Sequence, residues 1–202
     1  MGSSPRRKES CERKKDAILQ AARTVFARKG FASTVVEDIA EEAGIGKGTL
    51  YLYFPSKEQI YLAALHDDAH TLDGESRRAL AEARSWRDAL RSYVEVRLHY
   101  FEAHQDFLRI YMTEFRGMCM QGRPLSAELY RLAQDGEALL AQCFAAAAAR
   151  GEIRAVDPEL AALMVSDVTR GLIERRLRAW GRPLGESDTA FAVDMLRRAL
   201  EP

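Results

Sequence analysis

The sequence lacks an apolar run of about 18 residues and has no leader of charged, apolar and small-residue segments. A membrane-spanning or exported protein is therefore not expected, and the cytoplasm is the expected compartment. Cysteine is scarce. Cys11, Cys119 and Cys143 are an odd number without metal-ligand spacing, which excludes a disulfide framework and suits a reducing compartment. Strand signals are nearly missing. No segment alternates strictly, and no Asn-Gly or Asp-Gly turn joins two β-branched runs, so a sheet is not expected. Net charge is also absent, with 30 basic residues against 30 acidic.

Helical spacing is abundant. Ile18, Ala22, Val25 and Phe26 share one stripe, and Trp86, Leu90, Tyr93, Val94, Leu98 and Phe101 share another. Leu139, Leu140, Cys143, Phe144 and Ala147 make a third, and two more follow near the C-terminus. Breakers punctuate them at Gly30, Gly44 to Gly48, Pro55, Gly74, Gly151 and Gly181 to Gly185. These signals predict an all-α chain of about nine helices, enough at 202 residues to bury a core without staples. Helices are short and closely punctuated up to about residue 72 and long beyond it. The expected organisation is a disordered basic arm over 1–11, a small helical domain over 12–72 and a larger one over 73–202.

The neutral total hides an uneven distribution. Residues 1–57 hold eleven Lys/Arg against seven Asp/Glu, and six of those cations fall in the first fifteen residues. Such an arm suits a polyanion partner, or is a solvated terminus.

The stretch "AGIGKGTLYLYFPSKEQI", residues 43–60, has the glycines and lysine of a phosphate-cradling loop. That reading fails on three requirements. The first glycine of the loop should stand at 41, where the chain has Glu41. A Ser or Thr should follow Lys47, where it has Gly48. The preceding segment would be a buried strand carrying Glu37, Asp38, Glu41 and Glu42, which is costly.

A helix-turn-helix fits at each step. Thr34 and Glu37 make a capping box that starts a helix at Val35. Val36, Ile39, Ala40 and Ala43 share its inner face, Gly44 stops it, and Ile45 plugs the turn. A second short helix turns Leu50 and Phe54 inward. Lys47, Gly48, Thr49, Tyr51 and Tyr53 remain outside, a set that suits phosphates and base edges. Pro55 ends this helix, and Ser56 with Gln59 caps the next. Lys57 lies in that helix's first turn, where an ammonium and backbone N–H groups together suit a phosphate.

Residues 21–60, "AARTVFARKGFASTVVEDIAEEAGIGKGTLYLYFPSKEQI", resemble the DNA-binding segment of the tetracycline-repressor (TetR) family. The resemblance implies an N-terminal helix-turn-helix domain followed by a larger helical domain for ligand binding and dimerisation. It implies phosphate contacts from Lys47, Tyr51, Tyr53 and Lys57, with Ser33 and Thr34 as further candidates, and places Gly48, Thr49 and Leu52 toward base edges. Two positions depart from the family pattern. Gly46 replaces a usual Ser, which weakens the N-cap by a few tenths of a kcal/mol. Leu52 replaces a polar side chain, and it can touch a thymine methyl but cannot bond a phosphate. The recognition helix offers no Arg, Asn or Gln for bidentate base pairing, so specificity is expected to lean on methyl contacts, DNA shape and the basic arm in a minor groove.

The same resemblance puts a homodimer contact on helices near 157–180 and 186–200, through Leu160, Leu163, Val168, Leu172, Phe191 and Met195. It puts an inducer cavity among the middle helices, with Trp86, Tyr93, Arg97, Phe101, Tyr111, Phe115 and Met118 as candidates for its lining. Arg97 falls on an apolar stripe, either as an anchor for an acidic ligand group or paired with a carboxylate such as Glu114. His66 and His70 in "HDDAH" share a helix face, which reads as solvated rather than metal-binding. The expected function is a ligand-responsive DNA-binding regulator, most simply a repressor released from a palindromic operator by a small hydrophobic or aromatic inducer. No cofactor, metal or membrane partner is expected. A helical architectural protein without an inducer is the alternative. An all-helical enzyme is a third reading, but no nucleophile–base or dinucleotide motif supports it.

Overall fold

The computed structural model describes residues 5–105, 125–178 and 185–202, with side chains over 9–105, 134–175 and 185–202. Eight helices and no strand are found among them. They are α1 (Pro5–Ser33), α2 (Val36–Glu42), α3 (Lys47–Tyr51), α4 (Lys57–Glu82), α5 (Trp86–Ala103), α6 (Leu125–Ala149), α7 (Pro158–Arg178) and α8 (Glu186–Leu200). No helix among the described residues is long and apolar enough to cross a membrane.

The chain forms two compact units, divided between Asp68 and Ala69, inside α4. In the first, Ile18, Ala22, Val25 and Phe26 of α1 are buried with Ile39 and Ala40 of α2, Leu50 of α3, and Ile60 and Leu65 of α4. Each aliphatic or aromatic side chain fully withdrawn from water contributes about 1.5–3 kcal/mol. In the second unit, α5 packs against α7 and α8. Its core holds Trp86, Leu90, Tyr93 and Val94 with Leu140, Phe144, Ala162, Val165 and Ile173.

Two expectations are corrected. The arm over 1–11 is not disordered from Pro5 on; it is the first turns of α1. Pro5 suits the first helical position, and the Arg, Lys and Glu residues behind it are good helix formers. Gly74 does not interrupt the chain but lies exposed inside α4. A helical glycine costs only about 1 kcal/mol, and the flanking Leu72, Ser76 and Leu80 are buried on one face.

Gly30 is different. Its φ of 75° and ψ of 161° break α1 into two helices, a conformation open almost only to glycine. No atom crowds a Cβ placed there, so backbone strain alone decides the effect of a substitution. Gly30→Ala is expected to lower unfolding free energy by about 1–3 kcal/mol in urea melts. Gly74→Ala, in an open helical site, is expected to raise it by about 0.4–1 kcal/mol.

Candidate nucleic-acid interface

α2 and α3 form the expected bihelical unit, with Gly44 at φ 65° in the turn between them. Gly44 N–H donates to Glu41 O at 3.0 Å and Ile45 N–H to Ala40 O at 2.9 Å, which satisfies carbonyls the helix end would leave bare. α3 spans only five residues. Gly46 supplies no side-chain cap, and its carbonyl accepts from Thr49 N–H at 2.9 Å and Leu50 N–H at 3.1 Å. Leu50 and Phe54 are buried, so their burial aims the outer face of α3 at solvent.

That face carries the candidates unevenly. Lys47, Gly48, Tyr51 and Leu52 are exposed, as is Ser33; Thr49 and Tyr53 are half-buried. Leu52 is 84% exposed, far beyond what packing would leave for a leucine with a structural role. The Lys47 ammonium lies 5.8 Å from the Tyr51 ring centroid and pairs with Glu37 of α2. Lys47 hydrogen-bonds the Glu37 carboxylate and holds its pKa below the usual range. Partial burial and neighbouring Cys11 raise the Tyr53 pKa.

Two candidates are corrected. Thr34 is buried and does not cap α2; its Oγ1 donates to Gly30 O at 2.7 Å. The break at Gly30 leaves that carbonyl without a helical donor, and the hydroxyl supplies one. α2 instead starts at Val36, with Val35 at the cap position, and Val35 N–H donates to Asp38 Oδ2 at 3.1 Å. Lys57 is not an outward clamp. Its ammonium donates to Phe31 O and Thr34 O, both at 2.8 Å, and sits 4.4 Å from the Phe31 ring centroid. Carbonyls at and just beyond the end of α1 are good acceptors for a cation.

Sequence reading missed the partners of the other cations. Arg23 reaches Asp68 at 2.8 Å and Asp67 at 2.6 Å. The Arg23 and Asp68 side chains are only 12% and 7% exposed, so part of "HDDAH" is a buried ion pair rather than a solvated face. Burial opposes the Arg23 charge, but the two aspartates outweigh it and raise its pKa. Arg28 pairs with Glu42, and Lys29 with Asp38 at 2.6 Å. Arg13, Lys14 and Lys15 are exposed and have no carboxylate partner among the described residues. Among the described residues of the first unit, the uncommitted positive charge thus lies in the first half of α1. There Lys15 is 6.0 Å from the Phe54 ring centroid and Cys11 adjoins Tyr53.

In the second unit Trp86, Tyr93 and Phe101 are buried and Arg97 half-buried; Tyr111, Phe115, Met118 and Glu114 lie outside the described residues. Leu160, Leu163, Phe191 and Met195 are exposed, and Val168 and Leu172 half-buried. The inner face of α7 is instead Ala162, Val165, Thr169 and Ile173.

These contacts separate two lysines that look alike in sequence. Lys47→Ala is expected to weaken duplex DNA binding and reduce the slope of log K against log salt by about one unit. Glu37→Gln, which releases Lys47, is expected to tighten binding in the same anisotropy titrations. Lys57→Met is expected to lower the melting temperature while leaving the salt slope within error.

Comparisons with known proteins agree with this geometry. Residues 18–64 match the family model described as bacterial regulatory proteins, tetR family. The chain is 30% identical over 167 residues to the HTH-type transcriptional regulator RutR of Escherichia coli K12, covering 79% of this chain and 74% of RutR. The TetR-family regulator PfmR of Thermus thermophilus superposes with a TM-score of 0.71 at 27% identity, over 91% of this chain and 96% of PfmR. A Saccharomonospora viridis structure in complex with choline has a TM-score of 0.83 over 95% of this chain and 99% of that one; at 21% identity it speaks for the fold alone. From the matched helix-turn-helix and a relative aligned along most of both chains, this protein belongs to the TetR family of bacterial transcriptional regulators.

Proposed function

We propose that this chain is a ligand-responsive repressor that binds a palindromic operator as a homodimer. The carrying observation is the outer face of α3. A fully buried Leu50 holds in place a surface of Lys47, Tyr51 and an 84%-exposed Leu52 that no core requires. Lys47 and Tyr51 suit phosphates, and Leu52 suits a thymine methyl. The unpaired cations early in α1 suit a further stretch of backbone phosphate.

One helix of five residues reads too little sequence for specific binding, so the reading requires two copies. An apolar face on α7 and α8 supplies the means. Leu160, Met164 and Val168 follow one another at four-residue spacing on α7, as do Phe191, Met195 and Ala199 on α8. Phe191 is 68% exposed, and a groove of about 500 Å³ runs between the rows. Two helices from each copy pack there as a self-complementary bundle. The two α3 helices then address half-sites about 34–36 Å apart.

Ligand control rests on the helical body. A structure with this fold holds choline, and the aromatic side chains of α5 suit a small apolar or aromatic molecule. The ligand acts by favouring a form in which the two reading heads no longer match one face of DNA. A difference of a few kcal/mol between forms suffices.

The deciding experiment is footprinting of the full chain on flanking genomic DNA. Protection of a two-fold-symmetric site supports the proposal, and no protection in dilute salt overturns it. Leu160→Arg with Phe191→Asp is expected to give a monomer by sedimentation and to weaken operator binding by roughly 10²–10⁴-fold through loss of paired engagement.

A further inference from the structure

We propose that Arg97 anchors the acidic group of a small amphiphilic ligand, so that the natural effector is an organic anion rather than a neutral hydrophobe. This rests on the reading of the helical body as a ligand-binding domain and adds the ligand's chemical class.

Arg97 lies on the inner side of α5, one turn beyond Tyr93. Its guanidinium stacks on the Tyr93 ring, 4.3 Å from the centroid. Stacking satisfies the face of the guanidinium but none of its N–H donors, which point outward in the guanidinium plane. Arg97 Nε is buried and has no hydrogen-bond partner among the described residues. The Tyr93 hydroxyl is in the same condition, on a side chain with no exposed surface. So is Trp86 Nε1, on a side chain almost as deeply buried. Three polar donors on one helix, all withdrawn from water and none used, are far from the ordinary condition of a folded interior. An N–H donor withdrawn from water without an acceptor is costly and persists where something else supplies one.

The packing keeps room for that arrangement. Gly136 of α6 is buried against the guanidinium. A Cβ there would stand 2.7 Å from Arg97 Nη2 and 3.8 Å from the Tyr93 ring. Any larger side chain at 136 would therefore push the guanidinium off the tyrosine. The donor set names the ligand. A carboxylate or phosphate oxygen pair matches the fork of an arginine, and the phenol O–H of Tyr93 is a donor with no charge of its own. Tyr93 and Phe101, buried one turn before and one turn after Arg97 on α5, suit an aromatic or acyl body behind the acidic group.

The test uses the full chain and two probes of one shape, 4-phenylbutyrate and 4-phenylbutanol, followed by thermal shift. The acid is expected to raise the melting temperature by several degrees at millimolar concentration, and the alcohol by less than half as much. Arg97→Met is expected to respond to the acid no more than to the alcohol, and to melt without ligand at or above the wild-type temperature. Gly136→Ala, which displaces only the end of a flexible side chain, is expected to fold and to need at least severalfold more acid for the same shift. The proposal is overturned if acid and alcohol act alike on the wild type. It is equally overturned if either variant keeps the full response to acid. An Arg97→Met chain that melts well below the wild type identifies a structural arginine and also overturns it. Duplex binding by the wild type is measured in the same samples. A chain that ignores DNA sinks the regulator reading itself, whereas a chain that binds DNA without preferring the acid sinks only the anion anchor.

Discussion

A helix of five residues does not form by itself in water, because its nucleation cost exceeds what so few hydrogen bonds return. α3 exists because Leu50 and Phe54 are drawn into the core beneath it. The rest of the first unit serves that burial. α1 and α2 supply the apolar floor, Gly44 brings the chain round, and Pro55 releases it into α4. The break at Gly30 and its closure by Thr34 and Lys57 fix where α1 ends, and so where α2 begins.

Charge in this unit is used mostly to hold helices together. Arg23, Arg28, Lys29 and Lys57 each face a carboxylate or a carbonyl within the fold. Lys47 is exposed and paired at once, so a phosphate would take it from Glu37 rather than from water. The basic excess visible in composition is therefore not the charge available to a partner. What remains uncommitted is concentrated in the first half of α1, in a helix and not in a loose arm.

The fold was legible because its signals are local. Gly44, Pro55 and the three- and four-residue spacing around Leu50 placed α2 and α3, and the α7 and α8 boundaries fell close to their expected places. Tertiary choices were not legible. The pairing of residue 23 with residue 68, or of residue 57 with the carbonyl at 31, depends on how distant segments meet. Thr34 illustrates the limit: its sequence context is that of a helix cap, yet a carbonyl four residues earlier made a better use of its hydroxyl. The stripes of α7 and α8 were visible as apolar, but only the packing separated Ala162, Val165 and Ile173 inside from Leu160, Phe191 and Met195 outside.

The wet rows on α7 and α8 carry a thermodynamic corollary. If they close only against another copy, folding and assembly are one equilibrium, and the fraction able to read DNA rises with total concentration. A cell could then adjust occupancy of the control site by how densely it stocks the chain. Dilution during growth would act in the same direction as an effector, with no chemical signal at all.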